Sequence, residues 1–167
     1  MKNVKFYSVL GFLFVSAAGS IWHFVYGWSA SNPIVALFFP INESTWEHMK
    51  LLFFPMLLYS LFWSWKYRKV KRDLLPILCV GILGGTFAIP VLFYTYTGIL
   101  GFHTLFLDIS VFILSVGFAF FLSYRLIENH RKIGRASVIF VVLLAIFFAL
   151  FTYFPPDIPL FQNPPVS

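Results

Sequence analysis

Charge is what this sequence has least of. Asp, Glu, Lys and Arg make up only 11% of the 167 residues, against about 25% in an ordinary soluble domain. So few charges cannot cover a water-facing surface, which excludes a soluble globular domain. A second lack is in/out alternation. Runs such as SVIFVVLLAIFFALF (137–151) are apolar throughout, which excludes a membrane β-barrel. There is one cysteine, Cys79, so no intrachain disulfide can form, and its apolar surroundings make it a small buried residue. The glycines of VGILGGTF (80–87) lack the Lys and Ser/Thr of a phosphate-binding loop, and no soluble redox cofactor has an evident site. No internal repeat of the kind common in transporters is visible.

Long apolar stretches are what the chain does have. They are near the length of about 20 residues that crosses a hydrocarbon core. The expected fold class is all-α, a polytopic membrane bundle of five helices over about 5–26, 42–65, 74–97, 102–124 and 136–154. Residues 1–154 form one transmembrane domain on this reading, and 155–167 form a Pro-rich tail, extended and without regular structure. If five helices alternate, Lys2, Lys5, Lys66, Arg68, Lys69, Lys71, Arg72, Arg125, Arg131, Lys132 and Arg135 all fall on one side. The positive-inside rule makes that side cytoplasmic, with the N-terminus inside and the C-terminus outside. The net charge of +6 then reports orientation, and no nucleic-acid partner is implied. The stretch ending in SAAGS resembles a signal peptide, but the apolar run continues through IWHFVYGW and reads as a retained helix. Between the first two spans, Asn32 and Pro33 form a helix-start pair and Pro40 a stop. The segment between them is expected to be a short interfacial or re-entrant helix.

Lys50 is the one basic residue left over. It shares the outer boundary of the bundle with His23, Glu43, Glu47, His48, His103 and Asp108, which come from separate segments. At 100° per residue, Glu43, Glu47 and Lys50 share one face of the second span, with Ser44 and His48 beside it. Thr104, Asp108 and Ser115 line the fourth span, and Ser16, Gly19, Ser20, His23 and Gly27 line the first. Gly81, Gly84, Gly85 and Ala88 give the third span a small-residue face for close packing. The candidate binding pocket therefore comprises His23, Asn42, Glu43, Ser44, Trp46, Glu47, His48, Lys50, His103 and Asp108, opening outward.

A plainer account competes with this one. Ser44 and Glu47 have capping-box spacing, Asn42 is an alternative cap, and acids suit a helix N-terminus. Glu47 and Lys50 are spaced to pair with one another. Trp46 and the individual histidines are ordinary interface residues. Asp108 fits this account least, because a carboxyl within a span is costly and needs a partner, here His23, His48 or Lys50.

The stretch HFVYGWSASNPIVALFFPINESTWEHMKLLFFP (23–55) resembles an uncharacterised family of small bacterial multipass membrane proteins, a domain of unknown function. That family is marked by Asn-Glu-Ser-x-Trp-Glu-His-x-Lys, which reads here as Asn42, Glu43, Ser44, Trp46, Glu47, His48 and Lys50. The resemblance is specific over about a fifth of the chain and is one of hydropathy elsewhere. It implies the fold and a bacterial plasma-membrane location, and no activity. Three functions are therefore weighed: binding or transport of a small polar solute, a cation or a proton; an intramembrane hydrolase or transferase, with the histidines as bases and Ser44 as nucleophile; and a scaffold. A divalent metal is the one cofactor considered, with His23, Glu47, His48 and His103 as ligands, although no spacing such as His-Glu-x-x-His is present. The expected partners are the lipid bilayer and either further copies of the chain or another membrane protein.

Overall fold

The computed structural model describes residues 3–71 and 73–164. Lys2, Arg72 and the last three residues of the tail lie outside the described residues. Six α-helices and no strands occur among the described residues: α1 Val4–Trp28, α2 Pro33–Ala36, α3 Thr45–Tyr67, α4 Leu74–Leu100, α5 Leu105–Glu128 and α6 Ala136–Tyr153. Four of them, α1, α4, α5 and α6, are long and apolar enough to cross a membrane. α3 is as long but carries Glu47, Lys50 and Lys66, so its composition is less apolar.

α3 runs through the middle of the bundle and touches α1, α4, α5 and α6. Fourteen of its 23 residues are buried, Glu47 and Lys50 among them. The outer faces of the other helices expose Phe6, Leu13, Val91, Ile99, Phe106, Ile139 and Phe140. An apolar belt of this kind is what a lipid-facing surface requires.

Ends gather by chemistry. Lys66 sits 5.2 Å over the Tyr7 ring, Lys71 donates to the Ile127 carbonyl, and Ser137 donates to the Pro76 carbonyl. These contacts bring the start of α1, the α3–α4 loop and the α5–α6 loop together at a basic end. At the opposite, polar end lie the α1–α3 connection, the α4–α5 turn and the tail. Gly101 ends α4 with φ +78, and Thr104 caps α5 by accepting the Leu107 N–H. This tight reversal sets His103 beside Asp108. The tail is not wholly irregular: Pro159–Phe161 makes one 3-10 turn, and Phe161 packs on Trp46 with ring centroids 4.9 Å apart. The prolines exclude a longer helix, but burial of aromatic faces folds the segment back onto α3.

α4 and α5 share the tightest seam. A Cβ added to Gly81 would stand 1.9 Å from Ser123 Oγ and 2.7 Å from the Ala119 carbonyl. One added to Gly85 would stand 2.5 Å from Ala119 Cβ. Glycines four residues apart thus admit a neighbouring row of small residues, the close packing that van der Waals contact rewards where lipid offers no hydrophobic drive. Gly98 has nothing within 4 Å of an added Cβ. Gly81→Leu is therefore expected to lower the thermal midpoint in detergent, at a cost of about 1–3 kcal/mol from overpacking, while Gly98→Leu leaves it within error. Tryptophan fluorescence on heating measures both.

Candidate functional site

Residues 41–50 begin as a turn and end as α3. Asn42 Oδ1 accepts the Ser44 N–H at 2.9 Å, and Ser44 Oγ accepts the Glu47 N–H at 3.4 Å. Both side chains weighed as caps are therefore used, one for the turn and one for the helix. The second half of a capping box is absent. Glu47 instead turns inward, where its Oε2 accepts the Ile41 N–H at 3.0 Å. Ser44 is only 1% exposed, and a buried cap has no open face to offer a substrate.

Beneath this turn lies a buried ionic network. Lys50 Nζ donates to Glu47 Oε2 at 2.8 Å, to Thr152 Oγ1 at 2.5 Å and to the Ala36 carbonyl at 3.0 Å. All three ammonium protons are thus used. The Thr152 hydroxyl donates to the Phe148 carbonyl at 2.7 Å, and its oxygen lies 3.3 Å from Glu47 Oε1. Glu47 and Lys50 are 2% and 0% exposed. The pair is sealed from water and ties α2, α3 and α6 together. Trp46 belongs to the apolar packing around it, its ring 4.7 Å from that of Phe148.

Nearer the surface is a second group. His48 Nε2 lies 3.4 Å from Glu43 Oε2, and His23 Nε2 lies 3.6 Å from Glu43 Oε1. The two imidazoles are 5.4 Å apart, centroid to centroid. Glu43 precedes the first turn of α3, so it leaves the stripe of Glu47 and Lys50 and joins the histidines. Its backbone N–H donates to Asn163 Oδ1 of the tail at 3.1 Å. Hydrogen bonding from His48 holds the Glu43 carboxyl below its usual range, helped by the charge of both imidazoles and opposed by partial burial.

The third group joins α4 to α5. Asp108 Oδ1 accepts a short hydrogen bond from the Tyr96 hydroxyl, and Asp108 Oδ2 lies 3.1 Å from His103 Nδ1. The hydrogen-bond partners of Asp108 are thus Tyr96 and His103 rather than the expected His23, His48 or Lys50. It is still close enough for its charge to act on His48. A cavity of about 390 Å3 opens beside this group, lined by Thr45, Phe93, Thr97, His103, Gln162 and Asn163 among others. A second cavity, about 470 Å3 between α3, α4 and α6, is lined by apolar side chains and Cys79.

Sequence reasoning grouped ten side chains in one pocket. The structure sorts the ionisable ones into a sealed pair and two water-accessible clusters. Of the four metal-ligand candidates, His23 and His48 meet, with Glu43 as the carboxylate between them. Glu47 is taken by Lys50, and His103 lies with Asp108. Of the small and polar stripe on the first span, Ser20 is exposed with its hydroxyl bonded to the Ser16 carbonyl, and Gly27 is exposed as well. Tyr96, Thr152 and Asn163 were not singled out, because a Tyr at an interface, a Thr in a helix and an Asn in a tail carry no signal of their own.

A sequence model of DUF6512, a family of unknown function, matches residues 1–165. The chain belongs to this family. No curated protein and no solved structure matches it. The DUF6512 match spans both water-accessible clusters and the sealed pair, and names an activity for none of them.

The sealed pair generates its own test. Lys50→Met leaves a buried carboxylate without its counter-ion, at an expected cost of about 3–5 kcal/mol. Adding Glu47→Gln keeps an acceptor for Ile41 and removes the orphaned charge, so the double variant is expected to recover most of that loss. Unfolding of the single and double variants in mixed micelles measures the coupling.

Proposed function

We propose that this DUF6512 protein is a multi-pass protein of the bacterial plasma membrane whose outer end binds a small polar solute, a cation or a proton. Five spans are counted on this reading, α1, α3, α4, α5 and α6. At 1.5 Å per residue, the 23 residues of α3 reach about 34 Å, enough for a hydrocarbon core of roughly 30 Å. Its Glu47 and Lys50 are buried against protein, and Lys66 lies in its last turn at the basic end, so lipid does not oppose it. Every described Lys and Arg except Lys50 belongs to the basic end or to the helix turns that enter it, which supports a cytoplasmic N-terminus and an outer C-terminus.

The observation that carries the reading is the company around Asp108. Ionisable side chains from α1, the 41–44 turn, α3, the α4–α5 turn and α5 gather at one end, partly wet, and His103, the hydrogen-bond partner of Asp108, lines the 390 Å3 cavity there. Its lining mixes aromatic faces with hydroxyl, amide and imidazole groups, which is the composition of a site for a small polar ligand. Proton-exchanging groups held within a bundle are what coupled binding requires. Asp108 takes the central role, with His103 and Tyr96 holding its carboxylate.

Vesicles reconstituted with the full chain and loaded with a pH-sensitive dye test this. The wild-type protein is expected to carry a proton flux that Asp108→Asn reduces at least about tenfold. Equal fluxes in wild type, Asp108→Asn and empty vesicles would discard proton coupling.

A further inference from the structure

Three donor atoms converge where α1, the 41–44 turn and α3 meet. One ring nitrogen each of His23 and His48 and a Glu43 carboxylate oxygen lie within 4.8 Å of one another, and Nε2 is the nitrogen of each ring that faces Glu43. The two distances to the carboxylate are 3.6 and 3.4 Å. A tetrahedral metal with ligands at about 2.0–2.1 Å keeps them about 3.4 Å apart. Each imidazole faces its own carboxylate oxygen at close to that spacing, His23 at Oε1 and His48 at Oε2, so a bound ion needs only a small turn of the carboxylate to bring one oxygen toward both rings.

The hydrogen bonding of His48 points the same way. Its Nδ1 lies 3.0 Å from the Ser44 carbonyl, which can only accept, so Nδ1 carries the proton. In the neutral ring Nε2 is then a bare lone pair aimed at a carboxylate. Two electron-rich groups at 3.4 Å repel unless a cation stands between them. That cation is either a proton on Nε2 or a metal ion. A carbonyl accepting the far N–H is also what orients most metal-ligating histidines. The backbone of the turn carrying Glu43 is held in turn, its N–H donating to Asn163 Oδ1, and the nearby Asp108 adds negative charge. The side chains of His23 and His48 are 30% and 32% exposed, so an ion can enter from water.

We propose that His23, Glu43 and His48 bind one divalent transition metal, zinc by the character of the donors, with a fourth position open. Two imidazoles and a carboxylate suit zinc better than calcium or magnesium, which prefer oxygen. Three protein ligands with one open position is the zinc arrangement that leaves room for water or a donor atom of a ligand. This deepens the outer-pocket reading and rests on it for access, since the metal itself is the cation bound.

Full-length protein, purified in detergent, stripped with chelator and titrated with zinc chloride, provides the test. One zinc per chain is expected. His23→Ala, Glu43→Gln and His48→Ala are each expected to weaken it at least about tenfold, whereas His130→Ala, at the basic end, leaves affinity unchanged. Should a variant fail to fold, cobalt(II) added to the wild-type protein reads the geometry directly, and a strong visible band reports tetrahedral coordination. No stoichiometric zinc, affinity indifferent to all three ligand variants, or octahedral cobalt overturns the site. Proton flux that survives complete metal removal, in protein that binds no zinc, leaves the outer-pocket reading standing by itself.

Discussion

An ammonium and a carboxylate buried together in an apolar bundle are the interaction on which the polar end depends. Neither Lys50 nor Glu47 reaches water, and desolvating either alone costs several kcal/mol. They are tolerated because the network closes: each Lys50 proton has an acceptor, and Glu47 receives a backbone N–H as well as the ammonium. Closure constrains geometry. The Ala36 carbonyl fixes the end of α2, Thr152 fixes the last turn of α6, and the Ile41 N–H fixes the turn that carries Glu43. The His23–Glu43–His48 cluster is carried by the turn and the helix that this anchor fixes.

The bundle separates two uses of polarity by depth and by end. In the sealed pair, charge is balanced internally and serves to hold segments in register. In the His23–Glu43–His48 and Tyr96–His103–Asp108 groups, the side chains keep partial contact with water. At the basic end, Lys and Arg lie in loops and terminal turns, with the Lys66 ammonium over the Tyr7 ring and the Arg68 guanidinium over the Trp65 ring. The Gly81–Gly85 seam against α5 leaves no space for such groups, so chemistry is confined to where the helices end.

Much of this was legible in the chain itself. Low charge and uninterrupted apolar runs require helices, because only a helix satisfies its backbone within one segment in lipid. Asn32 before Pro33, and Ser44 before Glu47, are local signals whose partners lie within three residues, and the structure uses both. The i, i+3 spacing of Glu47 and Lys50 was equally local. The partner of Asp108 was not, because His103 and Tyr96 meet it only after Gly101 reverses the chain. Nor was the separation of Glu43 from Glu47, since helical periodicity extended back to residue 43 puts them on one face, whereas α3 begins at Thr45.

What the sequence determined by itself was class and sidedness of chemistry: a helical bundle with ionisable groups at one end and basic loops at the other. Those follow from composition and from periodicity, which act over a few residues at a time. Tertiary structure decided which groups meet. Glu47 became a strut rather than a ligand because Thr152 and the Ala36 carbonyl complete a cage for Lys50. Glu43 became the bridge between two histidines because the turn holding it is pinned from below by that cage and from the side by Asn163. Such pairings depend on contacts more than a hundred residues apart in the chain, and no local pattern encodes them.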